Sequence, residues 1–482
     1  MIVSTNCHFV NGQKQETEGG QIRLRKLTVA LDSKSDVPLY EQLTRHIIGE
    51  IRAGRMVAGE KLPGVRSLCE HLQISRSTAE SAYQILVAEG YIEGRERSGN
   101  YVLPYERPIA PVGDVPILPP ESLPDVYRHR FSTAEVDTSE FPYRAWAKLY
   151  KQVLQDGSGL LSRGHGQGDI ELRQALSDFL HQYRGVRCAA AQIVLGAGVD
   201  ALMGMLLILL GTDAVYGLED PGYPANYRTM NNSNRCSMPV PLDAQGMDDG
   251  ALRASGANIA YVTPSHQFPT GVTMPAGRRA RLLSWANEER YRYIIEDDYD
   301  SEFRHTTRPI PAMQGMDPEK VIYIGTFNRS IAPSIRVAYM VLPQALLLSF
   351  RELYAHTACS VSRFEQQTLA LFLKEGHYQR HLRRMAGLYR RRRDALIEAM
   401  GCIENISLSG HEAGLHCLLT HDRLDEQALI CRANESGILV HGLSEYAHGE
   451  IKKSHSLVLG YGGIDEMEIR SMALLLKDAW RS

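Results

Sequence analysis

Two short runs in the sequence combine residue types that could carry chemistry. Gly196-Ala197-Gly198 could hold a phosphate group on backbone N–H groups if it leads into a helix. Asp297, Asp298 and Asp300 could act as general acids and bases, or bind a metal ion. Each run also has a plainer interpretation, because a Gly-containing run is commonly only a turn and an acidic run is commonly solvated or caps a helix. Neither run identifies a function by itself.

Short apolar runs before these motifs predict a mostly parallel α/β sheet. Four such runs are each followed by a polar or Gly-containing turn: Ile193–Leu195, Ile259–Thr263, Tyr293–Ile295 and Val321–Ile324. Ligands of such sheets bind at the carboxyl ends of the strands. We therefore expect one site to be built from the segments that follow: Gly196–Gly198, Pro264–Gly271, Glu296–Asp300 and Gly325–Ser330.

A third candidate, Ser75-Arg76-Ser77-Thr78, lies in the N-terminal part of the chain and could contact nucleic acid. Arg can bind guanine through two hydrogen bonds, and hydroxyl groups can bind phosphate. Alone, such a run is more often the capped start of a surface helix. Its interpretation depends on the elements around it.

Those elements predict a winged helix-turn-helix. A helix from Leu39 to Ile51 ends at Gly54, and a second covers Val65–Leu72. After a turn at 73–75, a third helix places Ala79, Ala82, Tyr83 and Leu86 on one face and ends at Gly90. Strands at Tyr91–Glu93 and Asn100–Leu103 then flank a tip at Arg97–Gly99. Arg66 on the second helix and Arg95 or Arg97 on the wing could hold the DNA backbone.

Length and charge are compatible with such a chain. With 53 Lys+Arg against 56 Asp+Glu, the 482 residues carry a net charge of −3, which excludes a protein that is basic throughout but not one small DNA-binding domain. No apolar run is long enough to cross a bilayer, the N-terminus lacks signal-peptide features, and the eight cysteines form no Cys-x-x-Cys pair. We expect a cytoplasmic protein without a metal site.

A cluster of prolines divides the chain. Seven of the 22 prolines lie between Pro104 and Pro124, which is typical of a semi-rigid linker. The predicted organisation is a flexible lead-in at 1–36, a winged helix-turn-helix at 37–104, a linker at 105–126 and a body at 127–482.

The N-terminal motifs PLYEQL, LPGVR, ISRSTAESAYQIL and EGYIEGRERSGNYV resemble, in this order, the GntR family of bacterial winged-helix repressors. The resemblance implies that Arg66, Arg76 and Thr78 contact operator DNA and that Gly99 lies at the wing tip. Ser75, Ser77 and Arg97 belong to the same candidate DNA-binding surface. Glu80 is a departure, since some relatives have an Arg there, and it should alter base preference.

The motifs EDPGYP, VTPSHQFPTGVTMP, IIEDDYDSEFRH, VIYIGTFNRSIAPSIRVAYMVLP and GHYQRHLRRMAGLYRRRRDAL resemble the body of MocR-type regulators. These proteins join a GntR-type winged helix to a body shaped like a fold-type-I, pyridoxal-phosphate-dependent aminotransferase with large and small subdomains. The resemblance implies Asp297 at the pyridine nitrogen, Tyr299 at the ring hydroxyl and Tyr223 on the ring face. It implies that the phosphate is held by Thr326, Arg336 and the backbone of Gly198 and Val199.

The match breaks at Arg329. The family has Lys at this position and forms a Schiff base with it, whereas the guanidinium of Arg stays protonated and cannot react in this way. Lys320 precedes the strand and is not expected to replace it. Val458 falls about where aminotransferases have an Arg for the substrate carboxylate. Because a buried Arg329 needs a partner, we expect Asp297, a bound phosphate or a ligand carboxylate to neutralise it.

These observations predict a DNA-binding transcriptional regulator whose body dimerises and senses a ligand without Schiff-base catalysis. Pyridoxal phosphate, pyridoxamine phosphate or an amino-acid adduct could bind non-covalently; a different anionic metabolite or no ligand at all are alternatives. The enzymatic alternative is a pyridoxal-phosphate-dependent aminotransferase with an accessory DNA-binding domain. His165, His266 and His377 are interpreted as packing or helix-end residues, and Arg390–Arg393 as mostly a solvated helix face.

Overall fold

The computed structural model describes residues 29–32, 35, 37–105, 127–305, 310–449 and 454–481. Contacts divide the chain into two compact units, Met1–Ser122 and Leu123–Ser482. The proposed linker at 105–126 lies outside the described residues apart from Tyr105. None of the described helices is long and apolar enough to cross a membrane.

The first unit is a winged helix-turn-helix, as predicted. Its elements are α1 (Leu39–Arg52), α2 (Val65–Leu72), α3 (Arg76–Ala88), β1 (Ile92–Arg95) and β2 (Gly99–Val102). The periodic apolar residues of α1 and α3 pack together, with Leu43, Ile47, Ala79 and Leu86 fully buried. The lead-in contributes more than the sequence indicated, because Val29 and Leu31 also pack against this core.

The first part of the second unit is a three-layer α/β structure. In chain order its elements are β3 (His129–Arg130), α4 (Tyr143–Asp156), α5 (Ile170–Arg184), β4 (Ile193–Gly196), α6 (Val199–Leu209), β5 (Val215–Asp220), α7 (Pro224–Asn232), β6 (Cys236–Asp243), β7 (Gly246–Met247), α8 (Asp249–Ala254), β8 (Ile259–Val262), α9 (Ala276–Asn287), β9 (Tyr293–Asp298), β10 (Val321–Thr326), β11 (Ala338–Val341), α10 (Gln344–Leu353) and α11 (Arg363–Lys374).

The large sheet has the strand order β4-β11-β10-β9-β8-β5-β6-β7. Strands β10, β9, β8, β5 and β6 pair in parallel, while β11 pairs antiparallel with both of its neighbours. All four predicted strands belong to this sheet. Their residues are buried on both faces because helices cover both sides, which explains why the runs read as continuous apolar segments.

The remainder of the unit forms a smaller α+β subdomain. Its elements are α12 (His377–Met400), β12 (Ile406–Ser409), β13 (His416–His421), α13 (Glu426–Glu435), β14 (Ile438–Leu439), β15 (His441–Gly442), β16 (Ser456–Gly460) and α14 (Glu466–Ala479). An antiparallel sheet in the order β12-β13-β16-β15 packs against these helices around one apolar core. The expected division of the body into large and small subdomains is confirmed.

The arginine run on α12 is less solvated than expected. The guanidinium of Arg392 is buried and bonds to Asp137 and to the carbonyl of Gly462, while Arg391 pairs with Glu466 at 2.9 Å. Arg392 therefore ties the long helix to the rest of the body, because one face of the helix points inward.

Candidate functional site

The candidate DNA-contacting residues cluster on the first turn of α3 and on the wing. Ser75 precedes the helix, and its Oγ accepts a hydrogen bond from the N–H of Thr78 at 3.1 Å. The same Oγ lies 2.8 Å from Ser77 Oγ and 2.7 Å from Thr78 Oγ1. This cap fixes the start of the helix and leaves the side chain of Arg76 exposed beside it.

Two arginines of this surface, Arg66 and Arg76, have an acidic neighbour one helical turn away. Arg76 Nε donates to Glu80 Oε1 at 2.8 Å, and Arg66 Nε to Glu70 Oε1 at 3.3 Å. The Arg76 side chain is still 83% exposed, so the pair leaves it accessible to a partner. Exposed pairs of this kind contribute little to stability, so DNA phosphates can compete for the arginine at small cost.

The wing has the geometry of a tight tip. Arg97 and Gly99 both have positive φ values, 58° and 108°. A Cβ atom at position 99 would lie 3.2 Å from Cε of Lys61, so glycine suits the close approach as well as the backbone angle. The Arg95 guanidinium stacks 4.4 Å from the ring centroid of Tyr101. Lys61, which the sequence analysis did not identify, adds a second cation to this wing.

A cavity of about 170 Å³ lies at the carboxyl ends of the parallel strands, where the sequence predicted a site. It brings together seven of the eight body residues named as cofactor-binding candidates, all except Gly198. Its lining residues are Val199, Asp200, Met203, Tyr223, Asn226, Thr229, Tyr261, Phe268, Asp297, Tyr299, Thr326, Asn328, Arg329 and Arg336.

Asp297 is the buried acid of this cavity. Tyr261 Oη donates a hydrogen bond to its Oδ2 at 2.6 Å, while Oδ1 has no hydrogen-bond partner among the described residues. Burial raises the pKa of Asp297 to about 7, and the cation of Arg329 acts in the opposite direction. The unpartnered oxygen can accept a hydrogen bond from a ligand that carries an N–H group.

The acidic run around Asp297 is not solvated. Asp297, Asp298 and Asp300 are 9%, 5% and 2% exposed, so the plainer interpretation of this run is wrong. The run lies at the end of a central strand, and each carboxylate has a specific partner. Asp298 pairs with Arg184 at 2.8 Å and Asp300 with His266 at 2.9 Å.

Tyr299 and Tyr223 approach the cavity differently. Tyr299 Oη donates to the carbonyl of His266 at 2.8 Å, so its phenol is held by the protein. The ring of Tyr223 is half-exposed and packs edge-to-face against Phe268 with 5.5 Å between centroids. A planar ligand can therefore rest against Tyr223 from the solvent side.

His266 forms hydrogen bonds through both ring nitrogens. Nδ1 lies 2.9 Å from Asp300 Oδ2, and Nε2 lies 3.1 Å from the carbonyl oxygen of Gly410. Both partners are hydrogen-bond acceptors, an arrangement that favours a ring protonated on both nitrogens. Burial opposes this charge, but the carboxylate of Asp300 raises the pKa of His266 above its usual value. His266 thus joins the cavity wall to the small subdomain by packing and hydrogen bonding.

The phosphate-binding candidates surround the N-terminus of α6. Arg336 Nη2 lies 3.3 Å from the carbonyl of Ala197 and 3.4 Å from Asp200 Oδ2, and its side chain is about half exposed. Gly198 has a φ of 95°, a backbone conformation that favours glycine, and a Cβ atom there would displace the end of the Arg336 side chain. The N–H of Gly198 donates to Gly196 O at 2.8 Å. Gly198 therefore shapes the loop, and its role as a backbone donor to phosphate stays a prediction.

The other phosphate candidates are Val199 and Thr326. Val199 is the first residue of α6, where N–H groups lack helical partners and the helix dipole favours anions. Thr326 ends β10, and its Oγ1 accepts the N–H of Asn328 at 3.2 Å. Both therefore face the cavity at an end suited to a negative charge.

Arg329 lies at the opposite side of the cavity and is half-buried. Its guanidinium donates to the carbonyl of Thr133 and lies over the ring of Tyr299, 6.0 Å from the centroid. Of the three partners expected for Arg329, Asp297 forms no ion pair with it; a bound phosphate and a ligand carboxylate stay predictions. A carbonyl and an aromatic face satisfy the cation only in part, which leaves charge available to an anion.

Several residues of the site carried no signal in the sequence. Tyr261 lies inside an apolar run whose last residue, Thr263, also carries a hydroxyl group, so nothing singled it out. Asn226 lies three residues after Tyr223 without a motif of its own, and Thr133 reaches Arg329 from a segment far away in sequence. Lys320 Nζ donates to the carbonyls of Glu289 and Arg290, away from the cavity, which agrees with the expectation that it does not replace a lysine at 329.

Comparisons with known proteins agree with both units. Residues 39–102 match the family described as bacterial regulatory proteins, gntR family, and residues 131–452 match aminotransferase class I and II. An uncharacterised HTH-type transcriptional regulator of Bacillus subtilis, YdeL, is 38% identical over 94% of this chain and 99% of its own. The probable rhizopine catabolism regulatory protein MocR of Rhizobium meliloti is 31% identical over 94% and 96%.

Among solved structures, a kynurenine aminotransferase of Pyrococcus horikoshii superposes with a TM-score of 0.64. The match covers 73% of this chain and 91% of that one, at 22% identity. This likeness concerns the fold of the body.

Proposed function

The chain belongs to the GntR family of bacterial regulatory proteins, in the MocR-type group that carries an aminotransferase class I and II domain, and we propose that it is a DNA-binding transcriptional regulator whose body binds its ligand non-covalently. The observation that carries this proposal is Arg329. A permanent cation stands in the cavity where covalent attachment would require a neutral amine.

DNA binding is assigned to the surface formed by the first turn of α3 and the wing. Arg76 would read base edges, and Arg66 and Arg97 would hold phosphates together with the hydroxyls of Ser77 and Thr78. Ser75 caps the helix and Gly99 permits the tip. The acidic residues of this unit equal its basic ones between 37 and 104, so affinity must come from the placement of these arginines and not from net charge.

The cavity fits pyridoxal phosphate or pyridoxamine phosphate. Asp297 Oδ1, which is buried without a partner, matches the protonated ring nitrogen, and the half-exposed ring of Tyr223 matches its face. Arg336, Thr326 and the α6 N-terminus match the phosphate. Tyr299 would sit at the ring hydroxyl, although its own proton is given to His266 O. In aminotransferases this group supplies an electron sink for amino-group transfer; here the residues that hold it are present and the amine that would anchor it is not.

Arg329 would act as a recognition residue. Its positive charge favours a ligand that places a negative group beside it, such as the carboxylate of an amino-acid adduct. The same charge favours the ionised form of Asp297. We therefore propose that the body is a sensor with no aminotransferase turnover. The alternative ligand is a different anionic metabolite, which the cations of Arg329 and Arg336 would also hold.

Regulation would follow from ligand-dependent operator affinity. A ligand shifts a conformational equilibrium only if it prefers one of the two states. We propose a homodimer that binds two half-sites of double-stranded operator DNA. The proposed function involves neither a metal ion nor a membrane.

The test is a pair of binding measurements on the full-length protein. Operator sequences selected from a random DNA pool should bind with an affinity that changes when pyridoxamine phosphate is added, and calorimetry should give one vitamer site per chain. A Thr326→Val/Arg336→Gln variant should retain DNA binding and lose the vitamer response. Selection of no DNA sequence, together with amino-donor turnover, would instead support an enzyme.

A further inference from the structure

The segment after β9 contributes to two cavities. Asp297 and Tyr299 line the cavity described above, whereas Ser301 and Glu302 line a second one of about 460 Å³. This volume lies within the range of small-molecule sites, roughly 300–1,000 Å³. The second cavity shares no lining residue with the first.

The walls of the second cavity are mostly apolar. Phe179 and Tyr183 of α5 form one side, and Leu382 and Ala386 of α12 form the other. The two aromatic rings stack at 4.9 Å between centroids, so they present a rigid surface. An apolar group of the size of a side chain would be removed from water here.

Two buried polar atoms at this cavity have no hydrogen-bond partner within the described chain. They are Ser301 Oγ, in a residue that is only 2% exposed, and Gln379 Oε1. An unsatisfied buried polar atom destabilises the folded protein, and a ligand that supplies a hydrogen-bond donor removes this cost. Glu302 adds a carboxyl group beside them, and burial raises the pKa of this carboxyl to about 8.

The side chain of Arg383 places a cation at the solvent side of the second cavity. Arg383 lies one helical turn after Gln379 and is exposed, and its Nε donates to the backbone carbonyl of Gln379 at 3.3 Å. The two terminal nitrogens of its guanidinium can bind a carboxylate through two parallel hydrogen bonds. The cavity lining thus includes two buried acceptor atoms, the partly buried carboxyl of Glu302, apolar side chains and two arginines. Of these arginines Arg184 is already paired with Asp298, whereas Arg383 is exposed.

We propose that this second cavity binds a free α-amino acid with an apolar side chain. The three N–H donors of a primary ammonium group match Ser301 Oγ, Gln379 Oε1 and the Glu302 carboxyl. The ligand carboxylate pairs with Arg383, and its side chain packs against Phe179 and Leu382. The site is separate from the vitamer site and does not depend on it.

Glu302 is also connected to Tyr378. Tyr378 Oη lies 3.4 Å from Glu302 Oε1 and donates to Ser330 Oγ at 2.9 Å. An ammonium group at Glu302 favours its carboxylate, which competes with Ser330 for the Tyr378 proton.

Calorimetric titration of the full-length protein with L-phenylalanine tests this proposal. We expect saturable binding at millimolar concentration or below, and about tenfold weaker binding of both 3-phenylpropionate and 2-phenylethylamine, each of which lacks one charged group. Ala386→Phe, which fills the cavity, should abolish binding. Gln379→Met, which replaces the amide group by an apolar group of similar length, should weaken it, and Arg390→Gln, on the same helix outside the cavity, should have no effect.

Pyridoxamine phosphate titrated into the same variants separates this proposal from the preceding one. We expect each variant to bind pyridoxamine phosphate. Loss of L-phenylalanine binding and loss of vitamer binding can then be observed separately. The proposal is overturned if L-phenylalanine gives no saturable binding, if it binds Ala386→Phe and Gln379→Met as it binds the unmodified protein, or if 3-phenylpropionate binds equally well.

Discussion

The guanidinium of Arg329 lies over the ring of Tyr299, with 6.0 Å from its Cζ atom to the ring centroid. The same guanidinium donates to the carbonyl of Thr133. These two contacts hold a permanent positive charge at the edge of a cavity that also contains the buried carboxyl of Asp297. The charge balance of the cavity is therefore set by a residue that cannot lose its proton.

Asp297→Asn should change the pH dependence of stability in the ligand-free protein. The pKa of Asp297 is raised to about 7, whereas an unfolded Asp titrates near 4, so the folded state holds the extra proton between these values. Between about pH 4 and pH 7 the unfolded chain ionises this carboxyl while the folded protein keeps it protonated, so the wild type loses stability relative to the variant until about pH 7. Between about pH 5 and pH 8 the loss is on the order of 3 kcal/mol. Thermal unfolding of both proteins at about pH 5 and pH 8 measures this difference.

A second buried acid, Glu219, is coupled to Asp297. Burial raises the pKa of Glu219 to about 7 and the charge of Asp297 contributes to this rise, so Asp297→Asn should also lower the pKa of Glu219 and add to the difference. If the difference in Tm between variant and wild type were the same at both pH values, the carboxyl of Asp297 would not be the group that titrates.

Arg76→Ala should weaken operator binding by about 1–3 kcal/mol and relax the preference at one base position. The reason is that Arg76 lies on the first turn of α3 with an 83% exposed side chain. Arg45→Ala is a matched control, since it removes the same charge from an exposed i,i+4 pair on α1. Binding to a panel of operator variants measures both changes; equal effects of the two substitutions would place the recognition surface elsewhere.

Arg184→Met should destabilise the body by roughly 3–5 kcal/mol, because it leaves a buried charge without its partner. Arg184 and Asp298 have side chains only 4% and 2% exposed, and their atoms Nε and Oδ2 lie 2.8 Å apart. Adding Asp298→Asn to this variant should recover part of the loss, since the unpaired charge is removed. Denaturant unfolding of the two variants tests the pair, and no recovery in the double variant would count against it.

The sequence predicted the layout of the site better than its contacts. Asp297 and Thr326 could be placed together because each ends an apolar run, and parallel strands end at one edge of a sheet. The contact of Asp297 with Tyr261 could not be predicted, because it joins residues 36 positions apart through a strand register that the sequence does not show. The same holds for Arg329 and Thr133, which are 196 positions apart.

Other differences have local physical causes. The acidic run Asp297–Asp300 looked solvated because carboxylates usually are, and only the folded chain brings Arg184 and His266 to it. The N–H of Gly198, a predicted donor to phosphate, closes the turn onto Gly196. In the first unit the helices and the cap at Ser75 were predictable, since helical periodicity and capping are properties of neighbouring residues.

The central claim is that Arg329 prevents covalent attachment in a cavity that can otherwise hold a pyridoxal vitamer. It is tested most directly by incubating the protein with pyridoxal phosphate, reducing with borohydride and mapping any added mass to a peptide. We expect the wild type to bind the vitamer without any modification of the peptide that carries position 329, and Arg329→Lys to become modified at that position. A wild-type protein modified at a lysine that lines this cavity would contradict the account.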